Sequence, residues 1–393
     1  MSTLLALALA STLAVPGRSN ATPSIAAEGT FVAVTWSASL PTGATDVFAA
    51  VSRDAGRSFG APVRVNDVDG DARVNGEQPP RVALVARRGA AAPSILVVWT
   101  TKGANGTRIV EARSDDGGRT FGKAAAVPGG DAAGNRGWEA IVASRGVVDA
   151  VWLDHRAMAA HTHDGHMSPE QSSLYFAAAD GSVSPHALTN GVCYCCKTAI
   201  AAGADGALYT AWRQVYAGNV RDIAFTMSRD GGRSFAAPLR VSEDNWILDG
   251  CPDDGPAIAV DGRSRIHIVW PTLVKEGDGE PTIALFYATS PDGKRFSPRL
   301  RLPTEGLPHH PQIALRADGS AVVAWDEVKD GKRRAVLASE KGAQGGGAAF
   351  TREPLADAAP ALYPIAAVAD GGVVVAWTSG APAASTIAVR VIK

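Results

Sequence analysis

The chain has 393 residues, with 38 Lys plus Arg against 39 Asp plus Glu, so it carries no electrostatic footprint for nucleic acid or for an anionic membrane surface. No apolar run approaches the roughly 18 residues that a membrane-crossing helix needs. A single domain of this length is reasonable where the architecture grows by repetition.

At the start, Leu4 to Ala10 form a short apolar core ending in Ala8-Leu9-Ala10, like the end of a secretory signal peptide without its basic n-region. Residues 1–10 are therefore expected to be a signal-peptide remnant, and the protein to be exported to the periplasm or beyond. Next comes Ser11-Thr-Leu-Ala-Val-Pro16, an echo of Lys123-Ala-Ala-Ala-Val-Pro128. Seven apolar, β-branched-rich runs then end in tryptophan, at Trp36, Trp99, Trp152, Trp212, Trp270, Trp325 and Trp377. Runs such as ILVVW and VVVAW read as short strands buried on both faces. Before each stands another apolar run, in most repeats opened by proline, as at Pro23, Pro80, Pro256, Pro311 and Pro364. Proline is tolerated at the first residue of a strand, so these mark the innermost strand of each repeat. Third strands such as DVFAAVS, and fourth strands such as PVRV, complete a repeat of about 50 to 60 residues, the pattern of a β-propeller built from four-stranded blades. The last repeat stops after three strands, which predicts that residues 11–16 supply the fourth and close the ring.

The turn between third and fourth strands reads Ser52-x-Asp54-x-Gly56-x-x-Phe59, Ser114-x-Asp116-x-Gly118-x-x-Phe121 and Ser228-x-Asp230-x-Gly232-x-x-Phe235, with a shorter copy at Ser290, Asp292, Gly293 and Phe296. Serine and aspartate bond the turn's own N–H groups, and glycine supplies positive φ. These copies resemble the Asp-box, or BNR, repeats of the sialidase-like propeller superfamily, and the resemblance covers nearly the whole chain. It implies an all-β propeller over residues 11–393, commonly exported, and says little about chemistry, because such boxes lie away from the active site. Sialidases proper resemble six-bladed rings. Seven tryptophan repeats predict seven blades, with six blades and one degenerate repeat as the alternative.

Chemistry-bearing residues gather in the loops entering the innermost strands of repeats four to six: Cys193-Tyr-Cys195-Cys196-Lys197, Cys251-Pro-Asp253-Asp254 and His309-His310-Pro311. The loop after Trp152 adds His155, Arg156, Met158, His161, His163, His166 and Met167. Thiolates with imidazoles suit copper or zinc rather than Mg²⁺ or Ca²⁺, so Cys193, Cys195, Cys196, Cys251, His309, His310 and His155 form a candidate metal set. An even cysteine count in an exported chain equally allows disulfides. Neighbouring Cys195 and Cys196 are strained as a pair, so Cys251 is expected to bond one of the triplet. The remaining two thiols would then pair, bind metal or react.

The same face collects Glu139, Asp326, Glu327 and Arg136. The resemblance implies a rival reading, a sialidase-type hydrolase with Tyr363 as nucleophile, Asp253 or Asp254 as acid, and Arg156, Arg213 and Arg221 as the carboxylate clamp. The Arg-Ile-Pro element of sialidases is missing before the first box. A third reading is a non-catalytic platform for a protein or glycan. In each case the expected partner is a small molecule, glycan or metal ion at the channel face, met by a monomer.

Overall fold

The computed structural model describes residues 11–158, 171–275, 277, 279–342, 348–355 and 360–393. The described residues form seven antiparallel sheets of four strands each. Innermost strands at Ser19–Glu28, Arg81–Val85, Arg136–Ser144, Ala199–Ala202, Ala257–Val260, Leu307–Leu315 and Ala361–Ala369 each touch the next, and the last touches the first. This is a closed seven-bladed propeller, and the six-bladed alternative is removed. His161, His163, His166 and Met167 lie outside the described residues, as do residues 1–10.

The second strands explain the tryptophan repeat. Each is sandwiched between neighbouring blades, so both of its faces are covered, and six of the seven tryptophans are at most 1 % exposed. Burying one indole removes roughly 200 Å² from water, worth about 5 kcal/mol at about 25 cal/mol per Å². Trp36, Trp152, Trp212, Trp270 and Trp325 also donate their N–H groups, to Asn20, Asp154, Gln214, Asp244 and Glu327.

Ring closure follows the expectation from residues 11–16. The strand Ser11–Leu13 pairs with the outermost long strand of blade seven, Thr386–Ile392, through Ser11 opposite Val389 and Leu13 opposite Ile387. Leu13 is buried in the cluster containing Trp36, Val374 and Val389.

In the turns between third and fourth strands, Ser228 Oγ accepts the Gly232 N–H at 2.8 Å and donates to Asp230 at 2.7 Å. Asp230 accepts the Ser234 N–H at 2.9 Å. The copies at Ser52 and Ser114 bond the same way. Gly232 has φ +87°, and a Cβ there would overlap the Phe176 ring, which packs edge-on against Phe235 of the same turn. Gly232→Ala should therefore cost roughly 2–4 kcal/mol, from overpacking plus a left-handed backbone. The urea midpoint would show it, and an unchanged midpoint would mean that Phe176 can turn aside freely.

Candidate functional site

Four innermost strands begin with the same irregularity. Their register shifts at Ala21/Ser24, Gly137/Ala140, His309/Gln312 and Leu362/Ile365, and the residue inside each shift, Thr22, Trp138, His310 or Tyr363, has φ between +52° and +54°. Such a conformation costs on the order of 1–3 kcal/mol for a residue with a Cβ. In three of the four the next residue is proline, Pro23, Pro311 or Pro364, which has no N–H to lose from the interrupted ladder. The bulge re-aims one side chain per blade at the mouth of the channel. His310 and Tyr363 thereby meet edge to face, with ring centres 4.6 Å apart.

Carboxylates lock this pair. Asp254 accepts His309 Nδ1–H at 2.6 Å and the His310 backbone N–H at 2.6 Å. Asp326 accepts His310 Nδ1–H at 2.8 Å and the Tyr363 backbone N–H at 3.2 Å, and Arg333 lies 2.7 Å from its other oxygen. From blade two, Glu77 reaches across the mouth: one oxygen accepts the N–H groups of Lys197 and Gly255 at 2.9 and 2.8 Å, the other lies 3.6 Å from Lys197 Nζ. Ligand atoms of Glu77, Asp254 and His310 all fall within 4.8 Å of one another. Burial works against charge on Asp254, but the bond from His309 and the nearby imidazoles more than offset it, so its carboxyl is held below the usual range. His310 is the converse: burial pulls its pKa down, while the Asp326 bond and the charges of Asp326, Asp254 and Glu77 bring it above the ordinary imidazole value. Burial raises Tyr363, keeping its hydroxyl protonated at neutral pH.

These shifts set a pH dependence. A raised imidazole contributes stability that is complete below the unfolded-state histidine pKa and is lost as pH rises through the higher folded-state value. His310 faces Asp326, Asp254, Glu77 and the Tyr363 ring, so the wild type should lose stability on the alkaline side of that value. His310→Gln should flatten this limb in urea melts taken at stepped pH; an unchanged limb would mean that His310 binds its proton no more tightly folded than unfolded.

The sulfur atoms gather beside this cluster. Cys195 and Cys251 form a disulfide joining the loops of blades four and five, while Cys193 and Cys196 are free and buried. Cys193 Sγ lies 3.8 Å from Cys195 Sγ and 3.6 Å from Cys196 Sγ, and Arg221 donates to it at 3.1 Å. The bond from Cys196, followed by the charges of Arg221 and Arg213, lowers the Cys193 thiol to about 6 despite burial; the Cys196 thiol is pushed up by burial. The seven residues of the candidate metal set thus divide. Four sulfurs form one group and His310 joins Glu77 and Asp254 in another, with His309 bonded to Asp254, whereas His155 packs at a tilt against Trp138 with ring centres 5.5 Å apart. Burial lowers the His155 pKa to about 4, so it is neutral.

The arginines are committed elsewhere. Arg213 donates to the carbonyls of Asp254, Arg221 and Pro271 at 2.8–3.1 Å. Arg221 bonds Leu248 O, Asn219 and Cys193. Arg156 forks onto Asp154 at 2.7 Å twice and covers the Tyr175 ring, and Arg136 holds carbonyls of its own loop. These guanidinium groups brace loops. Glu139 is sealed in the wall, accepting from Thr100 at 2.9 Å, and burial lifts it to about 7. Sequence reasoning missed Glu77, although it precedes Pro79-Pro80 in the loop position that holds the cysteines and histidines in other blades.

A cleft of about 520 Å³ opens next to the cluster, lined by Arg73, Asn75, Gln78, Lys102, Trp138 and Tyr194 among others. Its wall 75–78 carries Glu77, and Gly76 there lies so close to the Tyr363 ring that a Cβ would overlap it. Cleft and cluster therefore share one loop.

No protein-family model matches the chain, and no curated protein matches its sequence. Solved structures do match. An ulvan lyase representing a new polysaccharide lyase family is similar over 97% of this chain and 96% of its own, with TM-score 0.60 and 11% identity; a second structure of that lyase, bound to a repeat containing GlcA, gives TM-score 0.58, 12% identity and coverage of 97% and 93%. An α-L-arabinofuranosidase from Fusarium graminearum follows at TM-score 0.56 and 11% identity, covering 98% and 97%. The chain shares the β-propeller fold of these structures. A protein of unknown function from Dyadobacter fermentans shares that fold at TM-score 0.53 and 14% identity, covering 97% of each chain. No helix of the described residues is long and apolar enough to cross a membrane.

Proposed function

We propose that this propeller cleaves an acidic glycan by proton transfer at the channel mouth. The observation that carries the reading is Asp254 holding His309 Nδ1 and the His310 N–H at once, with Tyr363 packed on His310. A neutral imidazole that donates Nδ1–H to a carboxylate has its lone pair on Nε2. His309 is 27% exposed at its side chain, so that lone pair is within reach of a ligand. Tyr363, protonated at neutral pH, is the matching acid. In β-elimination from a uronate, His309 takes the proton on the carbon beside the carboxylate, a carbon–carbon double bond forms, and the glycosidic oxygen leaves with the Tyr363 proton. Trp138 and Tyr194 offer flat apolar faces for sugar rings, and Arg73 and Lys102 supply positive charge for the carboxylate. The lyase and glycosidase neighbours support a sugar substrate. Export, expected from residues 4–10, suits a polysaccharide met outside the cell.

The sialidase-type alternative finds less support, because Arg156, Arg213 and Arg221 have donors bound to the protein itself. The deciding experiment offers uronate-containing and neutral polysaccharides, and an aryl sialoside, to the purified chain. Ultraviolet absorbance from the new conjugated double bond, reduced at least 100-fold by His309→Ala, is the expected result. New reducing ends without absorbance would replace elimination by hydrolysis. Sialic acid release abolished by Tyr363→Phe would restore the sialidase reading, and binding without turnover would leave a glycan platform.

A further inference from the structure

We propose that Cys193, Cys195, Cys196 and Cys251 make a four-thiolate site for one soft metal ion, Zn²⁺ or Cu(I), that opens when the Cys195–Cys251 disulfide is reduced. Four sulfurs lie within 4.8 Å of one another. A regular tetrahedron with metal–sulfur bonds of about 2.3 Å has edges of about 3.8 Å, against 3.6 and 3.8 Å for the Cys193–Cys196 and Cys193–Cys195 separations. Among the described residues the group is made of sulfur, with Asp253 Oδ1 standing 3.9 Å from Cys251 Sγ, and an all-sulfur set selects soft ions over Mg²⁺ or Ca²⁺.

The surroundings suit an anionic centre. Four thiolates around Zn²⁺ carry two negative charges, and around Cu(I) three. Arg221 already donates to Cys193 Sγ at 3.1 Å, which is the outer-shell bond that fixes and neutralises a metal-bound thiolate. Arg213 is held nearby by three carbonyls and cannot swing away. The Cys193 N–H bonds Arg213 O at 2.8 Å, fixing the loop. Cys193, Cys195 and Cys196 are buried, and Cys251 is exposed, so entry is from the Cys251 side. The disulfide and the metal are alternative staples between the loops of blades four and five.

Chemical balance requires a reductant. A dithiol or phosphine delivers two electrons to the Cys195–Cys251 bond and is itself oxidised; two protons convert the released thiolates to thiols. The incoming ion then displaces the protons still held by the four sulfurs.

The test is independent of glycan cleavage. The full chain is reduced with a phosphine, freed of it without air, and titrated in separate arms with Co²⁺ as a spectroscopic stand-in for Zn²⁺, and with Cu(I) against a competing chelator. One equivalent should bind in at least one arm. Cobalt should give the intense thiolate charge-transfer spectrum of a tetrahedral site, bleached by Zn²⁺, and all four thiols should resist alkylation while metal is bound. Cys196→Ser and Cys251→Ser should each weaken binding at least 100-fold, with circular dichroism confirming folded blades. His309→Ala should bind metal as the wild type does, so this site and the glycan reading fail separately. Four alkylatable thiols with no bound metal would overturn the proposal, as would a pair of disulfides that resists reduction, Cys193–Cys196 beside Cys195–Cys251.

Discussion

A chain that begins after Leu13 is expected to unfold at a far lower urea concentration than the full protein, with a loss on the order of 4–6 kcal/mol. Three residues are removed from the sheet, but they complete blade seven. Their loss uncovers the apolar ground that Leu13 shares with Val374 and Val389, worth about 2 kcal/mol, and leaves the pairing groups of Ile387 to Val389 without a partner strand, at about 1 kcal/mol or more each. Other contacts across the seam survive the cut: Asn20 still binds Ser385 O at 3.0 Å, and the Thr22 N–H still binds Thr378 at 2.9 Å. The truncated ring should therefore stay folded in water but open first between blades seven and one. Hydrogen exchange should show early loss of protection in Thr386–Ile392. Leu13→Ser in the full chain should reproduce about half of the effect, since it removes the apolar contact and keeps the backbone ladder. A truncated protein as stable as its parent would mean that the Asn20 and Thr22 contacts close the ring unaided.

The blades were legible because their signals are local. Tryptophan sits within a strand covered on both sides, and proline sits where a ladder bond is absent, just before the strand at Pro80 and Pro256 but inside it at Pro23, Pro311 and Pro364; neither signal needs knowledge of distant residues. The disulfide was legible in part for the same reason, since adjacent Cys195 and Cys196 cannot easily pair and Cys251 stands in the equivalent loop one blade on. What the repeat could not convey is how far a side chain reaches across the channel. Arg213 and Arg221 stand on the functional face, as their loop positions suggest, yet their donors are spent on backbone carbonyls of blades four and five, on Asn219 and on a sulfur. Glu77 reaches further, crossing from blade two to blades four and five. The left-handed bulge at His310 and Tyr363 was also invisible: Pro311 and Pro364 were expected to open their strands, whereas the strands begin earlier, at Leu307 and Ala361, and are interrupted by the positive φ of the residue before each proline. Hence imidazoles and thiols expected in one group separate into two.

Asp254→Asn should have the largest effect on turnover of any single isosteric change, for a reason of hydrogen-bond polarity. The wild-type carboxylate accepts from His309 Nδ1–H and from the His310 N–H, one on each oxygen. An asparagine has one accepting oxygen. The His310 N–H is backbone and has no alternative tautomer, so it claims that oxygen and turns the NH₂ group toward His309 Nδ1. The imidazole must then accept at Nδ1 and carry its proton on Nε2, the position from which it would act as a base. Turnover should slow by roughly two to four orders of magnitude, comparable to losing a general base, with KM changed little because Asp254 is buried beneath the histidines. Stability should fall as well, by about 2 kcal/mol at neutral pH, since buried donors lose a hydrogen bond to a charged acceptor. Its pH dependence has a definite sign. The Asp254 pKa is depressed in the folded state, so its contribution is present above the unfolded carboxyl value and is lost as pH falls through the lower folded value. Urea melts of wild type and variant should therefore converge toward acid and separate toward neutrality. Full activity in Asp254→Asn would show that the tautomer of His309 is immaterial and would remove it as the base, whereas equal stability at every pH would show that Asp254 is already protonated in the folded protein.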